Sequence, residues 1–337
     1  MSNTTLPDER VHQAHVSVSA IAAGYLVLPS VEVFEDARIN NAPGGIRVPT
    51  FAFLVQHPTH GKLLFDLGLR KQGKGYPPAL KEDLELFAVE CEQDIVDKLQ
   101  VNNTKPEDIN YVVYRQGSSH PLLSLSRLIL YSHLHFDHVG DLTPFQHATL
   151  VMGADAEPLI IDAKSNPDKS MLQAISDKQR IRYLNFDGSA EDDTHGMPIS
   201  TLVQPLGDFE RALDLFSDGS LYIIDTSGHM EGHVSALARV SQGTFVLLAG
   251  DCCHDRQCYD PVATKDGTVR TISQDNHHEW EVAKDTLSKL IKMSQRDDLV
   301  VVLAHEKERE TEMPLFPDTI DGQWVRDQVA KRTRISC

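Results

Sequence analysis

Three imidazoles and one carboxylate fall within six residues at His133-Leu-His-Phe-Asp-His138. They come straight after an apolar run, Leu128-Ile-Leu-Tyr131. A compact turn at a strand end can aim His133 and His135 at one cation, and Asp137 and His138 at a neighbouring one. Imidazole with some carboxylate suits a borderline divalent metal such as zinc. With 16 histidines in the chain, surface clusters arise by chance. This spacing at the end of a strand is a far rarer event.

The motif alone completes neither site, so further ligands must come from downstream. Three residues stand in equivalent places. His229 lies in the loop Thr226-Ser-Gly-His229 after the strand Leu221–Ile224. Asp251 follows the apolar strand Phe245–Ala249, and His305 follows Leu299–Leu303. Functional residues in loops at the strand ends of a rigid sheet are a common arrangement.

The order HxHxDH…H…D…H resembles the signature of the metallo-β-lactamase superfamily. Within it the chain is most similar to the lactonase-like branch that includes N-acyl-homoserine lactonases. The resemblance rests on the strand Pro49–Val55, Phe65-Asp66-Leu-Gly68, Ser132–Asp141, Thr226-Ser-Gly-His-Met-Glu-Gly-His233 and Gly250-Asp251. It covers roughly residues 18–312 and is weak over 155–215. It implies an α/β fold, the αββα four-layer sandwich, with two mixed sheets face to face and helices outside. It also implies two zinc ions per chain: His133, His135 and His229 on the first, Asp137, His138 and His305 on the second, Asp251 bridging. Asp66 and His233 are then expected to orient these ligands through hydrogen bonds.

The implied reaction is the opening of a cyclic ester or cyclic amide, a lactone, a lactam or a cyclic carbamate. A hydroxide bridging two cations is a strong nucleophile near neutral pH, and it would attack the carbonyl carbon. Asp137 is expected to take part in proton transfer. Acyl-homoserine lactonases commonly carry a tyrosine three residues after the bridging aspartate. Here that place holds His254, which can donate a hydrogen bond or a proton to the leaving group. Two alternatives remain: a glyoxalase II-like thioesterase, with Arg256 the nearest cation after Asp251, and a mononuclear iron persulfide dioxygenase. A partner is expected only in the form of a small-molecule substrate, and the resemblance implies that copies can pair as a homodimer.

The elements that must position these residues follow from pattern. Val16–Leu28, Val48–Gln56 and Lys62–Asp66 read as strands, the last two a hairpin whose polar turn places His57 and His60 in solvent. Leu84, Phe87, Ala88, Cys91, Ile95 and Leu99 have helical spacing and predict one helix over 81–100, with Cys91 on its buried face. Residues 155–215 read as helix and loop. A second helix is expected from about Glu279 to Met293, with the pair His277-His278 before it either lining the mouth of the site or exposed. The loops 30–47, 155–215 and 252–278 are expected to shape the pocket. Residues 1–337 are read as a single domain.

One segment is atypical. The strand Ile109–Tyr114 would already suffice to lead into His133, yet about 17 extra residues, Arg115–Tyr131, intervene. They read as an insertion, either a surface excursion or a retained in-frame intron. If they are genuine, one of the two strand candidates must leave the sheet.

The net charge of −17, from 32 Lys+Arg against 49 Asp+Glu, argues against nucleic acid as a partner. No apolar run approaches the roughly 18 residues that cross a bilayer, so no membrane partner is expected. The first ten residues lack the pattern of a signal peptide, and a cytoplasmic location is the expectation. Five cysteines without disulfide-like spacing read as reduced thiols. Cys252 and Cys253 read as structural neighbours of Asp251.

Overall fold

A computed structural model describes residues 5–109, 111–113, 124–145, 148–166, 180–188 and 202–335. In chain order the first half supplies β1 (Ser17–Pro29), β2 (Gly45–His57), β3 (Gly61–Phe65), β4 (Tyr111–Val113), β5 (Ser124–Leu130), β6 (Ala148–Gly153) and β7 (Arg180–Leu184). These form a mixed sheet in the order β1-β2-β3-β4-β5-β6-β7, in which β3 also pairs with β5. The second half supplies β8 (Val203–Leu206), β9 (Phe209–Asp214), β10 (Leu221–Asp225), β11 (Val234–Ser241), β12 (Thr244–Leu248) and β13 (Leu299–Val302). Their order is β13-β12-β11-β10-β9-β8.

Alternation along the strands builds the layers. On β2, Phe51, Phe53 and Val55 face a central core shared with Ile223, Ala236, Val246 and Val300 of the second sheet. Ala52 and Leu54 face the opposite way, into a cluster with Ile95, Leu99, Ile160 and Ala163. The outer face of the second sheet, with Leu237, Leu247 and Val301, packs on Ala283, Leu287 and Leu290 of the helix Trp280–Ser294. The result is helix, sheet, sheet, helix: the expected αββα sandwich.

Several expectations about elements need correction. The segment 81–100 is not one helix but two short ones, Lys81–Leu86 and Ile95–Gln100. Between them Ala88 takes a positive φ of 44°. The backbone of Glu90 pairs with that of Tyr25, N to O 2.8 Å in both directions. Pairing with the edge strand β1 thus overrides helical spacing, and Cys91 is buried without lying on a helix. The stretch 155–215 contributes β7, β8 and β9 besides the helix Glu157–Ser165. Residues 167–179 and 189–201 of that stretch lie outside the described residues.

Both strand candidates around the extra segment stay in the sheet. β4 pairs antiparallel with the start of β5, Tyr111 opposite Ser126 and Val113 opposite Ser124. β3 pairs parallel with its end, Leu63–Phe65 alongside Leu128–Leu130. The two neighbours use different halves of β5, so neither displaces the other. Residues 128–131 are fully buried, which rules out a surface excursion there. Residues 114–123 lie outside the described residues.

Candidate metal centre

Five strands deliver the polar cluster at one end of the sandwich. β3 ends at Asp66, β5 runs through Tyr131-Ser132 into His133, β10 leads to His229, β12 to Asp251 and β13 to His305. β3 and β5 are parallel neighbours, as are β12 and β13, so their C-terminal ends lie side by side. Gly250 turns the chain after β12 with φ +52°, and a Cβ there would stand 2.8 Å from His233 Nε2. Glycine is the residue that permits this approach.

The ligand atoms fall into two groups. His133, His135, His229 and Asp251 offer atoms that all lie within 4.8 Å of one another, and so do Asp137, His138 and His305. In the first group His135 Nδ1 lies 2.9 Å from His133 Nε2 and 3.0 Å from His229 Nε2. In the second, Asp137 Oδ2 lies 3.1 Å from His305 Nε2 and 3.7 Å from His138 Nε2. Asp251 Oδ2 stands between them, 3.7 Å from His133 Nε2 and His229 Nε2, 3.3 Å from His138 Nε2 and 3.4 Å from His305 Nε2.

Several rings are held from behind. His138 Nδ1 lies 2.9 Å from Asp66 Oδ2, whose carboxylate also accepts from the backbone N–H and hydroxyl of Ser132. His305 Nδ1 donates to the carbonyl of Pro49 at 3.0 Å. His233 Nδ1 faces the Thr226 carbonyl, and its Nε2 accepts from the backbone N–H of Asp251 at 3.0 Å. At His138 and His305 such partners fix the tautomer and leave the Nε2 lone pair for the cluster.

Electrostatics divide the cluster in two. Burial, reinforced by neighbouring imidazoles, holds His133 and His229 well below their ordinary pKa, and burial lowers His135 too. Burial also opposes charge on His138 and His305, but Asp251 and Asp137 outweigh it. His138 is pushed well up and His305 up to about 10. Burial raises Asp137 and Asp251, yet the facing histidines win and keep both below the usual carboxylate range.

A pair of divalent cations fits these donors. Bonds of about 2.1 Å in tetrahedral geometry put ligand atoms about 3.4 Å apart, close to the spacings found. His138 Nε2 and Asp251 Oδ1 are buried without any hydrogen-bond partner, a costly state for polar atoms unless something else satisfies them.

His254 joins the cluster, its Nε2 3.3 Å from Asp251 Oδ2 and 3.4 Å from Asn276 Nδ2. A cleft of about 140 Å³ opens on Asp137, Asp251, His254 and His305, walled by Leu26, Leu28, Phe87 and Phe136. Among the described residues its apolar walls come from the end of β1, Phe87 and Phe136, and none from 30–47 or 155–215. Arg256 turns away, bound to Glu306 at 2.6 Å and Glu312 at 2.8 Å. Burial drives the thiols of Cys252 and Cys253 up, Cys252 to about 11.

Two histidines depart from expectation. His57 is not in solvent but 3% exposed and 2.7 Å from Asp218, and His60 is half-buried, stacked on Phe216. Within the pair His277-His278, His278 is exposed beside Glu231, whereas His277 is buried against His229. Nothing in the local sequence separates the two. Only the position of each ring relative to a loop about 50 residues earlier does so.

No known family profile matches the chain. It is similar to the metallo-hydrolase mfmC of Annulohypoxylon moriforme, 26% identical over 95% of this chain and 85% of that protein. It is 24% identical to the gamma-lactamase FDB1 of Fusarium pseudograminearum, over 91% of this chain and 76% of that one. It is also 28% identical to the cytochrome P450 monooxygenase mpaDE of Penicillium roqueforti, of which it spans 33%. Among solved structures, a B. thuringiensis AiiA mutant with N-decanoyl-L-homoserine bound superposes with a TM-score of 0.58. There the identity is 18%, over 90% of this chain and 98% of that one.

Proposed function

We propose, for a chain that belongs to the metallo-β-lactamase superfamily and is a metal-dependent hydrolase, the opening of a cyclic ester or cyclic amide: a lactone or a lactam. The observation that carries this reading is the place of Asp251 Oδ2, within 3.7 Å of ring nitrogens from both ligand groups and beside an apolar cleft. Supporting it, the relatives include a gamma-lactamase, and a structural neighbour holds an acyl-homoserine. In this proposal the ligands are zinc-bound. His133, His135 and His229 would hold one ion, Asp137, His138 and His305 the other, and Asp251 would serve both.

Divalent cations in such a site supply Lewis acidity toward a carbonyl and make water a nucleophile near neutral pH. The chain's own residues do the rest. Leu26, Leu28, Phe87 and Phe136 seat the apolar body of the substrate and keep bulk water from the carbonyl. Asp137 accepts the proton released as the carbon–oxygen bond forms. His254 faces the cleft and gives a hydrogen bond or proton to the departing ring oxygen or nitrogen. Asp66 and His233 hold His138 and Asp251 in register.

The thioesterase alternative needs a free cation for the carboxylates of a glutathione ester. Arg256, already engaged by two glutamates, does not offer one. The dioxygenase alternative needs a single metal and leaves the Asp137–His138–His305 group without use. Elemental analysis of the purified protein, run with a panel of lactones, lactams and a thioester, decides among the three. About two zinc ions per chain with ring opening is the expected result. One iron without hydrolysis overturns it.

A further inference from the structure

The turn before the helix Trp280–Ser294 forms a seat for the loop that carries His229. The backbone N–H of His278 donates to the carbonyl of His229 at 2.9 Å, and that of Glu279 to Gly228 at 2.9 Å. Thr286 Oγ1 donates to the carbonyl of Ser227 at 2.8 Å. Gly228, at φ +123°, lies so close that a Cβ there would fall 2.3 Å from Ala283 N. The loop and the helix start are therefore in backbone contact.

On this seat stands His277. Its Nδ1 is 3.3 Å from His229 Nδ1, and its ring is 6% exposed. His229 points its Nε2 into the cluster, 3.0 Å from His135 Nδ1. A nitrogen facing a cation must carry a lone pair, which puts the proton of neutral His229 on Nδ1. That proton needs an acceptor, and the atom opposite it is His277 Nδ1. His277 must then carry its own proton on Nε2, an atom that is buried without a partner. Keeping a buried donor unpaired is unfavourable, a cost this ring bears in presenting its Nδ1 lone pair to His229.

We propose that His277 is a positioning residue for His229, acting as the hydrogen-bond acceptor that fixes its tautomer and aims its Nε2 at the first cation. The inference rests on His229 being a metal ligand, as proposed above. Metal ligands of this kind usually lean on a carboxylate or a carbonyl. Here a second imidazole takes that place.

The test compares H277N, whose side-chain oxygen can accept at the same place, with H277F, which fills the space without an acceptor. Zinc affinity is measured by competition with a chromophoric chelator. The imidazole N–H protons of the zinc-loaded proteins are followed by NMR. Expected are a roughly ten- to hundredfold loss of affinity for one of the two ions in H277F and loss of the slowly exchanging His229 Nδ1 proton. H277N should restore both, its affinity to within about threefold of wild type. Native affinity and an unchanged proton signal in H277F overturn the proposal, as does an H277N as weak as H277F. A wild-type protein that binds no zinc overturns this inference together with the function it rests on.

Discussion

Two histidine clusters stand out among the described residues, and residue type does not tell them apart. His57, His60 and Asp218 bring ligand atoms within 4.8 Å of one another, as the strand-end cluster does. His57 is as buried as the metal-site rings. The difference lies in where its nitrogens are satisfied. His57 Nδ1 accepts from the backbone N–H groups of Thr59 and His60, and Nε2 donates to Asp218. At the other cluster ring nitrogens meet ring nitrogens, and buried atoms of His138, Asp251 and His254 have no hydrogen-bond partner. A satisfied imidazole locks a turn, whereas lone pairs converging on one another mark a place for a cation.

Experiments that break this contrast can be ranked by size. Asp251→Ala removes the oxygen shared by both groups. It should lower kcat by about a thousandfold or more and leave fewer than two metals per chain, read by kinetics and elemental analysis. Next comes pH. His305 has its folded pKa raised to about 10, so its ion pairs stabilise the metal-free protein fully below its ordinary value of 6.5 and are lost as pH rises through 10. A cation must displace that proton, and the one on His138. Metal affinity should therefore rise between pH 6.5 and 10, by about tenfold per unit for each proton displaced, measured by chelator competition across that range.

His254→Phe should reduce kcat by about a hundredfold with metal content unchanged, as steady-state kinetics on the metal-loaded variant will test. Chelation should lower the melting temperature by roughly 5–10 °C, followed by calorimetry with and without added zinc. His57→Ala is the smallest. It should cost about 1–3 kcal/mol of stability in urea titrations while metal content and kcat stay at wild-type values. A fall in bound metal in that variant would erase the distinction between the clusters.

What sequence could reveal follows the same line. Residues at the ends of apolar strands were legible, because a strand's pattern shows where it stops and a sheet places its ends together. That is why His133, His229, Asp251 and His305 could be picked out before their convergence was seen. The sandwich was legible for the same reason. What stayed hidden depended on distant partners: Asp218, which draws His57 inside; Tyr25, whose pairing with Glu90 breaks the helix expected over 81–100; and the loop at His229, which buries His277 but not His278. The extra segment misled because sheet membership was treated as exclusive, whereas β3 and β4 share β5 end to end.

The ligand groups also straddle the sandwich, His133 to His138 hanging from one sheet and His229, Asp251 and His305 from the other. Each cation would therefore rivet two layers that meet through apolar contact and a few hydrogen bonds, and neither rivet could close until the chain is made as far as residue 251 or 305. Metal supply would then set how long a molecule survives proteases as well as how fast it turns over. A cell starved of metal should lose the polypeptide itself, not merely its catalysis.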